Sequence, residues 1–272
     1  TLTIGGTGGI LEGNLDDAAI TVNQDAVLDF DGSNDYVACG RITQLESNTD
    51  ATFSAWVKND VGGSSTWDRI IGKWDDVTTA NRSFLLNFDP SGSGDVARIS
   101  IGDGAGGSVY AAGTTDLDTN WHHIAGVFDG GASLKIYVDG VLEATNTTSI
   151  PATLTNKTID TYIGAIAGGT SDNFNGKIAD VRLYDASLSQ ADIQVLASKI
   201  NGSSSLGAGT GNLQAWWKLD EGTGTSAADS SSNSYTGTAT NFAMSGTTSN
   251  WLFDAFSVAV QDNSTTTDGA VT

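Results

Sequence analysis

Between Ala26 and Tyr184 the chain is a series of short apolar or alternating runs, broken by turn dipeptides and with no helical pattern between them. The runs are Val27–Phe30, Thr52–Lys58, Asp68–Lys73, Ser83–Phe88, Ala97–Ile101, His122–Phe128, Leu134–Val138, Tyr162–Ile166 and Lys177–Tyr184. Asp-Gly recurs at Asp31, Asp103, Asp129 and Asp139, and in hairpins this pair supplies the positive φ that tight primed turns need. Asp129-Gly130 and Asp139-Gly140 bracket one such run. Short strands at regular spacing predict two antiparallel sheets packed face to face, and disfavour a parallel α/β fold. The one helical pattern follows Tyr184: Ser189 is a cap, Asp192 stands at the third position, and Ile193, Leu196, Ala197 and Ile200 share a face. The expectation is therefore an all-β, two-sheet antiparallel sandwich with one short helix near residues 189–200.

Composition agrees. Asp outnumbers Glu 28 to 4, and Asp favours turns and caps where Glu favours helix interiors. At 272 residues the chain is long enough to build a core without staples, and the single Cys39 offers no internal disulfide. A formal net charge of −20 excludes nucleic acid as a partner, since binding to phosphate backbones demands a basic footprint. No run approaches the roughly 20 apolar residues of a membrane span. The opening Thr1, in place of Met, reads as a processed chain or a piece of a longer one.

Four parts are expected. Residues 1–25 form a Gly-rich N-terminal extension with an extra strand at Ala19–Val22, and residues 26–200 form the sandwich domain. Residues 201–212 (NGSSSLGAGTGN) are a Gly/Ser linker. Residues 213–272 contain a strong strand, Leu213–Leu219, and a second one at Trp251–Val260, before a final dozen residues that read as poorly ordered.

LDFDGSNDYV (Leu28–Val37), FSAWVK (Phe53–Lys58), WHHIAGVFDG (Trp121–Gly130) and LKIYVDGVL (Leu134–Leu142) occur in order, followed by YIG (Tyr162–Gly164) and FNGKIADVRLYDASLSQADI (Phe174–Ile193). Together they resemble the concanavalin A-like, laminin G-like (LamG, pentraxin-related) jelly-roll domain family over about residues 26 to 200. The resemblance implies a concanavalin A-like jelly roll. One departure stands out: the segment AWWKLDEGTGTSAADSSSNSYTGT, which usually opens such a domain, here lies at Ala215–Thr238. Three arrangements are open to it: folding back as a permuted strand of this sandwich, beginning a next tandem domain, or pairing with a neighbouring subunit.

Asp29, Asp31, Asn34 and Asp35 stand close together in the first motif, and oxygen-rich loops suit calcium. The resemblance implies a structural calcium held by Asp31, the Gly32 carbonyl and Asp180, with Asn34 and Asp35 in the same loop; the alternative is a set of Asx-turns. The pair Asp75-Asp76 after Trp74 reads as a solvated loop. His122 and His123, neighbours on one strand, point to opposite faces and share no metal, one being core and one surface. Glu12, Glu46, Glu143 and Glu221 are scattered, and no Glu-x-Asp-x-x-Glu strand of the glucan hydrolases of this fold is present, so no enzyme is expected. Sugar binding needs aromatic faces and fixed polar groups. Trp56 and Trp121 lie in packing motifs and are assigned to the core, and of the adjacent Trp216 and Trp217 one should face inward and one outward. Trp67 and Trp74, which flank one strand in Gly/Ser/Asp-rich loops, and Tyr110 are the candidate platforms.

The expected function is a non-catalytic extracellular or surface recognition module that binds polysaccharide or another surface ligand, with a structural calcium. The alternative is a structural subunit of a surface filament, layer or phage virion that self-associates through residues 213–260. Location at an extracellular, cell or virion surface follows from either.

Overall fold

The computed structural model describes residues 18–60, 67–91, 94–167, 172–202, 206, 213–245 and 250–262, with side chains described from Ala26 to Leu252 within those ranges. The expected linker 201–212 and the last ten residues thus lie largely outside the described residues.

Sixteen strands and one α-helix are present among them. In chain order they are β1 (Ala18–Asp31), β2 (Tyr36–Ala38), β3 (Asp50–Asn59), β4 (Arg69–Lys73), β5 (Phe84–Asp89), β6 (Val96–Gly102), β7 (Ser108–Ala112) and β8 (Trp121–Asp129). They continue as β9 (Ser133–Val138), β10 (Val141–Asn146), β11 (Tyr162–Ile163), β12 (Asn175–Tyr184), α1 (Gln190–Leu196), β13 (Leu213–Trp217), β14 (Ser226–Ala227), β15 (Gly237–Thr240) and β16 (Trp251–Asp262). One eight-stranded sheet runs β10-β9-β8-β3-β12-β1-β16, with β13 also on β12; the other runs β14-β15-β2-β11-β4-β5-β6-β7. The chain divides into two compact units, residues 26–252 and the outer parts of β1 and β16. The first unit carries everything below.

Alternation builds the core of that unit. Along β3, Ala51, Phe53, Ala55 and Val57 are fully buried between the sheets. Phe53 stacks on Phe84 of the opposite sheet with ring centroids 4.2 Å apart. The β9–β10 hairpin turns on Asp139 (φ 49) and Gly140 (φ 78), both left-handed as a primed two-residue turn requires. The outer face of the β3/β8 region is buried too. There Ala125, Val127, Tyr137 and Tyr184 pack under Leu188, Ile193 and Leu196. The helix is shorter than expected, Gln190–Leu196, and begins with the expected reciprocal cap between Ser189 and Asp192.

The displaced C-terminal segment pairs with its own chain. β13 lies antiparallel to β12, Val181 opposite Trp217 and Leu183 opposite Ala215, while β1 occupies the other stretch of the same edge, Leu28 opposite Ile178. β15 pairs with β2 in the second sheet. Trp216 and Trp217 take opposite faces as expected, while the core assignment of Trp56 and Trp121 needs correction. Both Trp216 and Trp217 are buried: Trp217 enters the core, and Trp216 is covered on the other face by the Arg182 guanidinium, 4.3 Å from its ring. Trp56 and Trp121 are only half-buried, because they lie on the outer face of their sheet; Trp56 packs edge-on to His123.

Candidate functional site

The register of the second sheet places a polar set on its outer face. Leu86 pairs with Ile99 and Phe84 with Ile101, all four buried inward, so by period two the intervening Leu85, Asn87, Arg98 and Ser100 point outward. Opposite them β7 contributes Tyr110 beside Ser100 and Ser108 beside Gly102, and β4 contributes Arg69 beside Asn87. A cavity of about 370 Å³ lies over this face, lined by Trp67, Arg69, Trp74, Asp76, Arg82, Leu85, Asn87, Arg98, Ser100, Ser108 and Asp172. That volume falls at the lower end of the range of small-ligand clefts.

Ion pairs and rings fix its walls. Asp76 accepts from Arg69 Nη2 at 3.0 Å, from Arg82 Nη2 at 2.9 Å and from the Trp74 indole N–H at 2.8 Å. Arg69 Nη2 also reaches Asp172 at 3.2 Å; burial pulls the Arg69 pKa down against the pull of these two carboxylates. Arg98 donates to Ser100 Oγ and Asp89, and its guanidinium lies 3.7 Å from the Tyr110 ring centroid and 5.0 Å from that of Trp67. Asp75 caps the loop backbone at Val77 and Thr78. The Nε atoms of Arg69 and Arg82 are buried without a hydrogen-bond partner among the described residues.

Trp67 and Trp74 do line one cavity, and Tyr110 adjoins it through Arg98. Their roles differ from the expected exposed platforms. Trp74 is 4% exposed, packed with Leu85 and Ile166, so it is a wall. Tyr110, 49% exposed, is the open ring. Asp76 is exposed in its loop, as expected, and is also the hub of the site. Arg69, Arg82 and Arg98 escaped the sequence reading; the signal available was that three of only five arginines fall within thirty residues of each other around Trp67 and Trp74.

The residues expected to hold calcium do not converge. Asp31 Oδ1 accepts from the Ser33 and Asn34 amides in an Asx-turn. Asp35 is buried, accepts from the Asp31 amide and the Asn250 side chain, and burial pushes its carboxyl up to about 6. Gly32 takes a left-handed φ of 72, and the Asn34 carbonyl accepts from Asn241. Asp180 lies five residues beyond Asn175, the β12 partner of Asp31, roughly 16 Å along the strand. Its carboxylate is engaged by Arg182, the Trp216 indole N–H and the Asn201 amide. As a set these five residues do not fit one ion, which takes six to eight oxygens. Among the described residues no group of three or more His, Cys, Asp or Glu is placed to hold a metal.

His122 and His123 do take opposite faces, and they titrate in opposite directions. His123 is buried, and desolvation lowers its pKa to about 3. Hydrogen bonds that the His122 ring donates to Asp139 and to Asp118 outweigh burial and raise its pKa. His123 therefore contributes stability that is fully present above about pH 6.5 and is lost at ~1.4 kcal/mol per pH unit as pH falls toward 3. His122 contributes stability present below about 6.5 and lost as pH rises through its raised folded value. Imidazole proton shifts followed by NMR are expected to show His123 still neutral at pH 4.5 while His122 is protonated; a His123→Phe variant should unfold less steeply in acid.

No curated protein matches the sequence. Among solved structures, a supposed carbohydrate-binding protein from Bacteroides ovatus superposes with a TM-score of 0.59 at 16% identity, covering 88% of this chain and 60% of its own. This chain thus spans less than two thirds of that protein. A heptameric SAP-like pentraxin from Limulus polyphemus gives 0.52 at 15% identity over 71% of this chain and 90% of its own. The CBM40 domain of the Ruminococcus gnavus IT-sialidase gives 0.50 at 14% identity over 65% and 99%, and has also been solved bound to α2,3-sialyllactose. At such identities these likenesses speak to the fold alone. The Laminin_G_3 sequence profile matches residues 31–194, more than half of the chain and most of both sheets, so the chain belongs to the concanavalin A-like lectin/glucanases superfamily.

Proposed function

We propose that this chain is a non-catalytic recognition module that binds a glycan in the cavity on the outer face of β4–β7. One observation carries the reading: in that cavity two tryptophan walls meet hydrogen-bonding groups from Arg69, Asn87, Arg98, Ser100, Ser108 and Asp172, the combination that sugar rings and their hydroxyls require. The carbohydrate-binding descriptions of two similar folds, from Bacteroides ovatus and Ruminococcus gnavus, support it. The two cavity carboxylates, Asp76 and Asp172, both bond to Arg69, which favours a structural over an acid–base role. Shallow, weak binding at an extracellular or cell surface suits such a module. The pairing of β13 with its own chain favours this reading over assembly by strand exchange.

A glycan array followed by calorimetry tests it. Ser108 lines the rim of the cavity on β7, so Ser108→Trp should fill the space, cutting affinity about tenfold or more, a loss of ~1.4 kcal/mol or more, while leaving the melting temperature unchanged. Absence of binding across the array, or binding indifferent to Ser108→Trp, would overturn the proposal.

A further inference from the structure

We infer that the ligand is a neutral, hydroxyl-rich sugar and not a uronate or sialate; this rests on the glycan reading above. Three arginines in one cavity invite the opposite conclusion, but each is already paired. Arg69 meets Asp76 and Asp172, Arg82 meets Asp76, and Arg98 meets Asp89. Three guanidinium groups are thus matched by three carboxylates, and Asp75 and Asp103 stand in the flanking loops, capping their own backbone amides. Beyond them the whole chain carries −20, a field that disfavours approach of an anion.

What the cavity offers is mixed hydrogen bonding. Arg98 Nη2 and Arg69 Nη1 donate to no described residue, since the bonds of these side chains run through Arg98 Nε and Nη1 and through Arg69 Nη2. Asp172 and Asp76 supply acceptors beside Arg69, and Asp89 beside Arg98. A sugar hydroxyl both donates and accepts, so it can bridge a guanidinium and its carboxylate without breaking the pair. An ionised sugar carboxylate only accepts; it would have to displace Asp172 or lie against it. Asp172 therefore acts as the residue that sets the charge preference.

Calorimetry with matched probes tests this: lactose against α2,3-sialyllactose, and a galacturonate trimer against its methyl ester, beside neutral arabinan, galactan, mannan and xylan fragments, each at low and high salt. Neutral probes are expected to bind with the same affinity at both salts, and an acidic counterpart about tenfold more weakly, a gap of ~1.4 kcal/mol. Asp172 adopts φ 59, a conformation Asn tolerates, so Asp172→Asn should keep the fold and narrow the gap by removing one negative charge. An acidic probe that binds as tightly as its neutral partner or more tightly, and that weakens with salt, would overturn the inference while leaving the glycan reading intact. Failure of every probe would overturn the glycan reading and this inference with it.

Discussion

Replacing Trp217 by alanine is expected to destabilise the protein by about 4 kcal/mol, a large fraction of the net stability of an ordinary domain. The side chain is fully buried, in one core with Val181, Leu219, Ala227, Ala239 and Trp251. Its indole N–H donates to the Tyr235 carbonyl at 2.7 Å, so alanine leaves a large cavity and an unpaired carbonyl. Because Trp217 sits on β13, the cost measures how far the C-terminal segment belongs to this sandwich. Urea unfolding of the variant gives the number. A loss under about 1 kcal/mol would mean that β13 adds little to the stability of the sandwich.

The second large effect lies on the opposite face of the same strand pair. Arg182 and Asp180 are both buried and joined through Nε at 2.6 Å and Nη2 at 3.0 Å. Burial disfavours the charge on Arg182, but Asp180 more than compensates and holds its pKa above the ordinary arginine value. The guanidinium also donates to the Gly202 carbonyl. Arg182→Leu strips Asp180 of its counter-charge in a dry site, at an expected cost of about 3–5 kcal/mol. The pair itself is worth much less than that. Removing both charges together, as Asp180→Asn with Arg182→Leu, should cost clearly less than the sum of the single changes. Additive losses in the double-mutant cycle would mean that the two groups act independently.

Much of the sandwich was legible in the chain. Thr52–Lys58 alternates over its first half and Ser83–Phe88 is mostly apolar, and each became a strand, β3 and β5. Asp139-Gly140 marked a tight hairpin because its chemistry is local. What escaped were strands defined by their partners rather than by their own pattern. β2 and β15 hold only three and four residues, and each is a strand because it pairs with the other and, for β2, with β11. Likewise Ser108–Ala112 is half-exposed and weakly apolar, yet becomes β7 by pairing along β6. The range Tyr162–Ile166 shrank to the two residues of β11, since only those face β2 and β4.

The site was legible in its aromatics and illegible in its charges. Trp67 and Trp74 stood out as flanks of one strand, but nothing local tells whether an indole stands free or lies against Leu85. Asp76 gained its place from Arg69, Arg82 and Trp74 together, and that convergence needs the bulged pairing of β4 with β5. Asp180 shows the converse. A family pattern marked it as a metal ligand, whereas the bend at its own left-handed φ of 52 turns it toward Arg182 and Trp216.

The most direct test of the cavity as a binding site is a two-dimensional NMR titration with the neutral oligosaccharide that binds best, following the tryptophan indole N–H signals. Shifts at Trp67 and Trp74, with Trp216, Trp217 and Trp251 unmoved, are the expected result. Silence at Trp67 and Trp74 while another indole responds would place the ligand elsewhere on the sandwich and contradict the assignment.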